Sequence, residues 1–157
     1  MSKIADVVKY ICKMYPYDQE LSNARLTKMV YLADWESARR FGKQITEIHW
    51  YFNNYGPYVD DVLKTVQMDP EIDAIQTSTI YGTPKIQIRY SGNGEGINLS
   101  EDEKDILNEV ISQTRSMYWN GFISYVYNTY PVRENAQYSY LDLVDLANQE
   151  EADNQRK

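Results

Sequence analysis

The chain has 157 residues, 43% of them hydrophobic and 25% charged, which supplies enough apolar material for one domain with its own core. Its formal charge of −7 argues against a surface built to neutralise phosphates. A single cysteine, Cys12, excludes an internal disulfide and a cysteine-based zinc site. No apolar run reaches the roughly 18 residues that a membrane-spanning helix needs. Lys3, Asp6, Lys9 and Lys13 interrupt the N-terminal apolar residues, so no signal peptide is expected and a cytoplasmic setting is the simplest. Fifteen tyrosines against three phenylalanines is the unusual count. Tyrosine joins an apolar ring to a polar tip, so it suits the margin of a core or a partner-binding surface.

Ile4, Val7, Val8 and Ile11 recur at helical spacing and predict a first helix over 3–15, ended by Tyr15-Pro16. Cys12 on its flank reads as a small buried hydrophobe. Ser22 or Asn23 can cap a second helix that runs to Phe41, with Leu26, Met29, Val30 and Ala33 on its apolar face. Gly42 fits its stop, and Arg39 and Arg40 suit its last turn. Asp34 falls at the edge of that apolar face. It is a solvated acid, a structural carboxylate that accepts from a nearby loop such as Tyr55-Gly56-Pro57, or, as the last of the three readings, a catalytic group.

Ile48, Trp50 and Phe52 alternate with polar neighbours and predict a short strand over 45–52. His49, the one histidine, has no partner at metal-ligand spacing and reads as a strand or loop residue. Asn53-Asn54-Tyr55-Gly56-Pro57 predicts a turn, with Pro57 in the first turn of a helix that reaches Met68. Asp60 and Asp61 are adjacent on that helix and point about 100° apart, a poor carboxylate pair. Residues 72–90 predict a β-hairpin, with Ile86 and Ile88 alternating against Lys85, Gln87 and Arg89. The Gly92–Gly96 stretch carries an acid and lacks a following Lys-Ser/Thr, so it reads as a plain loop and not a phosphate cradle.

Ser100 with Glu103 forms a capping box before a helix over about 101–115. Asn120-Gly121 is expected to separate it from another helix, carrying Phe122, Ile123, Val126 and Tyr127 inward and ending at Asn128–Arg133. Leu141, Val144 and Leu146 suggest a short last helix, and the polar tail 150–157 is expected to fray. The expected architecture is α+β: five or six helices with a small antiparallel sheet, residues 1–149 forming one domain.

One set of residues carries more than secondary structure. Leu26-x-Lys28-x-x-Tyr31-Leu32-Ala33-Asp34-Trp35, then Gly42, then Tyr55-Gly56-Pro57-Tyr58-Val59, resembles in order and separation the signature of the Panacea domain. That domain occurs in SocA-like proteolysis adaptors, in phage-associated proteins and in antitoxins. The resemblance marks Leu26, Lys28, Tyr31, Asp34, Trp35, Tyr55, Gly56, Pro57 and Tyr58 as motif and candidate interaction positions. Further on, Thr129 and Pro131 align with the family's Thr-His and Pro-Trp pairs, while Tyr130 and Val132 replace the His and Trp.

The resemblance implies an antitoxin that neutralises a cognate protein toxin encoded beside it, through an acidic, tyrosine-rich face. A variation delivers the toxin to a protease. Two other classes stay open. One is a phage or mobile-element inhibitor of a host factor. The other is a winged-helix-like DNA-binding regulator whose recognition helix would use Arg25, Lys28, Arg39 and Arg40. No nucleophile–base pair, phosphate loop or metal cluster is legible, so no catalytic residue, cofactor or metal is expected.

Overall fold

In the computed structural model, residues 3–156 are described, with every side chain among them except that of residue 18. The first apolar stripe forms α1 (Lys3–Met14) and buries Ile4, Val7, Val8 and Ile11. A 3-10 turn (Asp18–Glu20) leads into α2 (Asn23–Phe41). Ser22 caps α2 by accepting from the Arg25 N–H at 3.2 Å. Gly42 ends it in the left-handed region, at φ 68°, with its N–H donated to the Ala38 carbonyl.

The sequence pattern predicts one apolar face for α2, but the structure encloses the helix nearly all round. Arg25 through Trp35 are all buried, and so are Ser37 and Ala38. An enclosed helix is the centre of a fold and not its skin.

Beyond Gly42 the chain runs extended. Ile48, Trp50 and Phe52 are buried while His49 is exposed, so the predicted alternation holds. Regular pairing is shorter than the expected strand. β1 (Phe52–Asn53) pairs antiparallel with β2 (Gly56–Pro57), Phe52 opposite Pro57 and Asn53 opposite Gly56. The other partner of this stretch is distant in sequence. Phe52 N–H donates to Ser139 O at 2.9 Å, and Leu141 N–H donates to Trp50 O at 2.8 Å.

Pro57 does not open a helix, contrary to the turn reading. The Tyr58 N–H donates to Tyr51 O at 3.0 Å, which continues the extended pairing past Pro57. The next helix, α3 (Asp61–Met68), therefore starts four residues later, with Val62 and Val66 inward. β3 (Ile72–Ser78) and β4 (Pro84–Tyr90) form the expected hairpin, in register from Ile72–Tyr90 to Ser78–Pro84. Ile88 N–H donates to Leu21 O, which lays β4 against the start of α2.

The Ser100–Glu103 capping box is formed in both directions at the start of α4 (Glu101–Thr114). α5 (Trp119–Tyr127) begins earlier than expected, so Asn120 and Gly121 lie inside it and the break falls at residues 115–118. α6 (Tyr130–Arg133) is a single turn, and α7 (Leu143–Gln155) is longer than the pattern suggests. The segment from Glu150, expected to fray, is helical as far as Gln155. Glu150 accepts from Arg39 Nε at 3.0 Å, and the Tyr130 hydroxyl donates to Asp153 at 2.6 Å, which links this part of α7 to α2 and α6.

The main packing on α2 comes from α1, α3, α4, α7 and β4. The architecture is α+β, with seven α-helices and two two-stranded antiparallel sheets among the described residues. No helix among them is long and apolar enough to cross a membrane.

Candidate functional site

Two consecutive stretches of α2 do different things. The C-terminal stretch, Tyr31 to Trp35, is internal. Asp34 has no solvent exposure, and its two oxygens take donors from one loop. Oδ1 accepts the Ile45 and Thr46 backbone N–H groups at 3.0 and 2.9 Å. Oδ2 accepts the Thr46 hydroxyl at 2.5 Å, the Trp50 indole N–H at 2.9 Å and the Gln44 amide at 3.3 Å. Asp34 is thus the structural carboxylate of the three readings, but its donors come from residues 44–50 and not from the Tyr55-Gly56-Pro57 turn. Burial raises its carboxyl to about 6, against the pull of those donors.

The other internal motif residues share this role. Leu26 is buried in the core. Tyr31 meets Trp50 edge to face at 5.5 Å between ring centroids, and its hydroxyl is 2.8 Å from Thr129 Oγ1. Trp35 stacks on Tyr130 with ring planes 5° apart. Pro57 is buried in β2.

The N-terminal stretch of α2 forms one wall of a cavity of about 750 Å³. The β1–β2 turn, the tip of the β3–β4 hairpin and the connector before α5 form the rest. Three motif residues line it: Lys28, Tyr55 and Tyr58. Gly56 stands behind them. A Cβ placed on it would lie 3.8 Å from Lys28 Cε, and its φ of +97° is open only to glycine without strain. Tyr58 accepts from Asn23 Nδ2 at 3.0 Å, and its ring centroid is 5.8 Å from Lys28 Nζ.

The remaining lining was not identified as a site in the sequence. Met117 and Tyr118 approach from the connector, Trp119 from the first position of α5, and Lys85 and Ile86 from β4. Tyr55, Tyr118 and Trp119 are exposed, at 78%, 88% and 45% of full accessibility, so three aromatic rings ring one opening. An adjacent Tyr-Trp pair at the start of a helix was the available signal.

Arg25 also lines this cavity; its Nη2 is occupied, while its Nε is buried with no acceptor among the described residues. Its guanidinium donates to Thr114 O at 2.7 Å and Met117 O at 2.9 Å and lies 4.4 Å from the Phe122 ring centroid. It anchors the connector. Lys28 differs. It is 3% exposed, and among the described residues no hydrogen bond or ion pair reaches its amine. Desolvation without a compensating acceptor lowers its amine to about 8.

The charges on the lining are Arg25, Lys28 and Lys85 against Glu20. At this cavity the tyrosines therefore coincide with cations, not with the acids that the overall charge suggested. The recognition helix considered for DNA loses its basis too. Arg25 and Lys28 are buried, Arg39 is paired with Glu36 and Glu150, and Arg40 with Glu36 and Glu109. Cys12 and His49 line different cavities, and no cluster of three metal-ligating side chains exists among the described residues.

The family profile described as antitoxin SocA-like, Panacea domain, matches residues 26–131, well over half of the chain. The chain belongs to this SocA-like Panacea family. No curated protein and no solved structure matches it. The matched span runs from Leu26, the first motif residue on α2, to Pro131 in α6, and so includes Asp34 with its whole donor loop. In this Panacea domain the departures at Tyr130 and Val132 are core positions: Tyr130 packs on the motif's Trp35, and Val132 is buried.

Proposed function

We propose that this chain is the antitoxin of a toxin–antitoxin pair and neutralises a cognate protein toxin by direct contact. Membership of the SocA-like antitoxin family carries this reading. The ring of exposed aromatics around a concave site supports it, since rigid aromatic side chains beside a pocket are the usual anchors of a protein interface. In this reading the chain performs no reaction. Its motif acid is spent on holding a loop, and its partner is a protein.

The test is co-expression with the neighbouring open reading frame, following growth and co-purification. Toxicity relieved with a stable complex supports masking. Toxicity relieved with loss of the toxin and no stable complex supports delivery to a protease, the SocA-like variation. No toxicity, or no relief, removes the antitoxin reading and leaves the phage-type inhibitor.

A further inference from the structure

The lysine in the cavity wall is a cation that the fold leaves without an acceptor among the described residues. A buried ammonium without an acceptor costs free energy that a well-packed apolar side chain would not. Lys28 is 3% exposed, lines the cavity, and among the described residues has no acceptor. The nearby ring of Tyr58, 5.8 Å from Nζ, offers only the weak attraction of its π-face.

The surroundings define what would complete it. Lys85 also lines the cavity and has no ion pair among the described residues, whereas Glu20 is the one acid of the lining. A protein of net charge −7 thus presents its cavity as a cationic spot. Phosphate recognition is built from several convergent donors, commonly Arg forks and backbone N–H groups. Here Arg25 Nη2 is spent on the Thr114 and Met117 carbonyls and holds the guanidinium against the connector, so no arginine fork is aimed at the cavity and Lys28 is the buried point charge among its apolar and aromatic groups. One point charge on an aromatic wall suits one carboxylate on an apolar ligand. Around the mouth, Tyr55, Tyr118 and Trp119 extend the apolar surface outward, giving contact for residues on both sides of that carboxylate. The volume, about 750 Å³, lies within the range of ligand pockets.

We propose that this cavity receives an apolar segment of the partner protein bearing an aspartate or glutamate, whose carboxylate pairs with Lys28 Nζ. The proposal rests on the reading of the chain as a protein-binding antitoxin and names the chemistry of the contact. The lowered basicity of Lys28 agrees with an ammonium that awaits its counter-ion, and pairing would raise it again.

The experiment needs no knowledge of the partner. Phage-displayed random dodecapeptides are selected on the full chain, and synthetic copies of the enriched sequences are titrated against wild type, Lys28→Met and Lys28→Arg. Enriched peptides should carry Asp or Glu beside aromatic or aliphatic residues. Affinity should fall roughly 30-fold or more with Lys28→Met, the loss expected when one partner of a buried charge pair is removed. It should fall similarly when the peptide's acid becomes its amide, and be partly retained with Lys28→Arg. Thermal unfolding confirms that each variant is folded.

Absence of enriched peptides, enrichment of acid-free or basic peptides, or equal binding to folded Lys28→Met overturns the proposal. Co-expression separates the two readings. Relief of toxicity by wild type and Lys28→Met alike overturns the carboxylate contact and leaves the antitoxin standing. No relief by wild type overturns the antitoxin, and with it the toxin as the source of the segment.

Discussion

Trp50 donates its indole N–H to Asp34 Oδ2 at 2.9 Å, and this bond ties a helix to a loop sixteen residues further along. With the Thr46, Ile45 and Gln44 donors it makes Asp34 an acceptor-only node. Asp34→Asn places an NH₂ where only acceptors fit. We expect a loss of about 2–4 kcal/mol, seen as a fall of about 5–15 °C in thermal midpoint. A midpoint within a degree of wild type would show that the node does not hold the loop.

The same carboxyl gives a pH dependence. Burial raises it in the folded chain to about 6, above its ordinary value. The folded state therefore holds a proton that the unfolded state releases. Stability from this group is greatest below about pH 4, declines as pH rises to about 6, and is flat beyond. The span is about 3 kcal/mol by linkage. Urea unfolding of wild type and Asp34→Asn at a series of pH values checks this. The gap between the two should widen as pH falls from 6 to 4.

Lys28 gives the opposite behaviour on substitution. Its amine is lowered to about 8, so at neutral pH the folded chain carries an unpaired buried charge. That penalty is full below about pH 8 and is relieved as pH rises toward the amine's ordinary value. Lys28→Met should stabilise the isolated protein at pH 7 by about 1–3 kcal/mol, and the gain should shrink by pH 10. A destabilised Lys28→Met at pH 7 would mean that the ammonium is already compensated.

Gly56 tests the turn. At φ +97° a β-branched residue is strained, although a new Cβ would find ordinary contacts 3.7–3.8 Å away. Conformation and not collision sets the cost, so Gly56→Val should lose about 2–3 kcal/mol and Gly56→Ala somewhat less. Chemical denaturation of the two variants orders them. Unchanged stability in Gly56→Val would remove the turn from the organising features.

What the sequence made legible was local. Ser22 and Gly42 bound α2, Ser100 and Glu103 open α4, and the 72–90 alternation is a hairpin, because each signal lies within a few residues of what it controls. Pro57 misled because its role depends on Tyr58 pairing with Tyr51, and a proline is acceptable in an edge strand as well as in a first helical turn. The donors to Asp34 were sought at the wrong loop for a similar reason: nothing in their composition says which loop folds back. The cavity was the least legible. Its walls come from residues 20–28, 53–58, 79–86 and 117–119, and only the fold brings those segments together.

The pairing of Trp50 and Phe52 with Leu141 and Ser139 has a consequence for how this protein comes off the ribosome. The loop that cages Asp34 leads straight into those two residues, yet its outer edge is closed by a stretch made almost ninety positions later. A nascent chain halted before Tyr138 has every motif residue and still leaves that edge open. That edge therefore closes late in translation, only as residues 138–141 emerge. A message broken short of them would yield a chain with its family signature intact and the backbone of Trp50 and Phe52 without these partners.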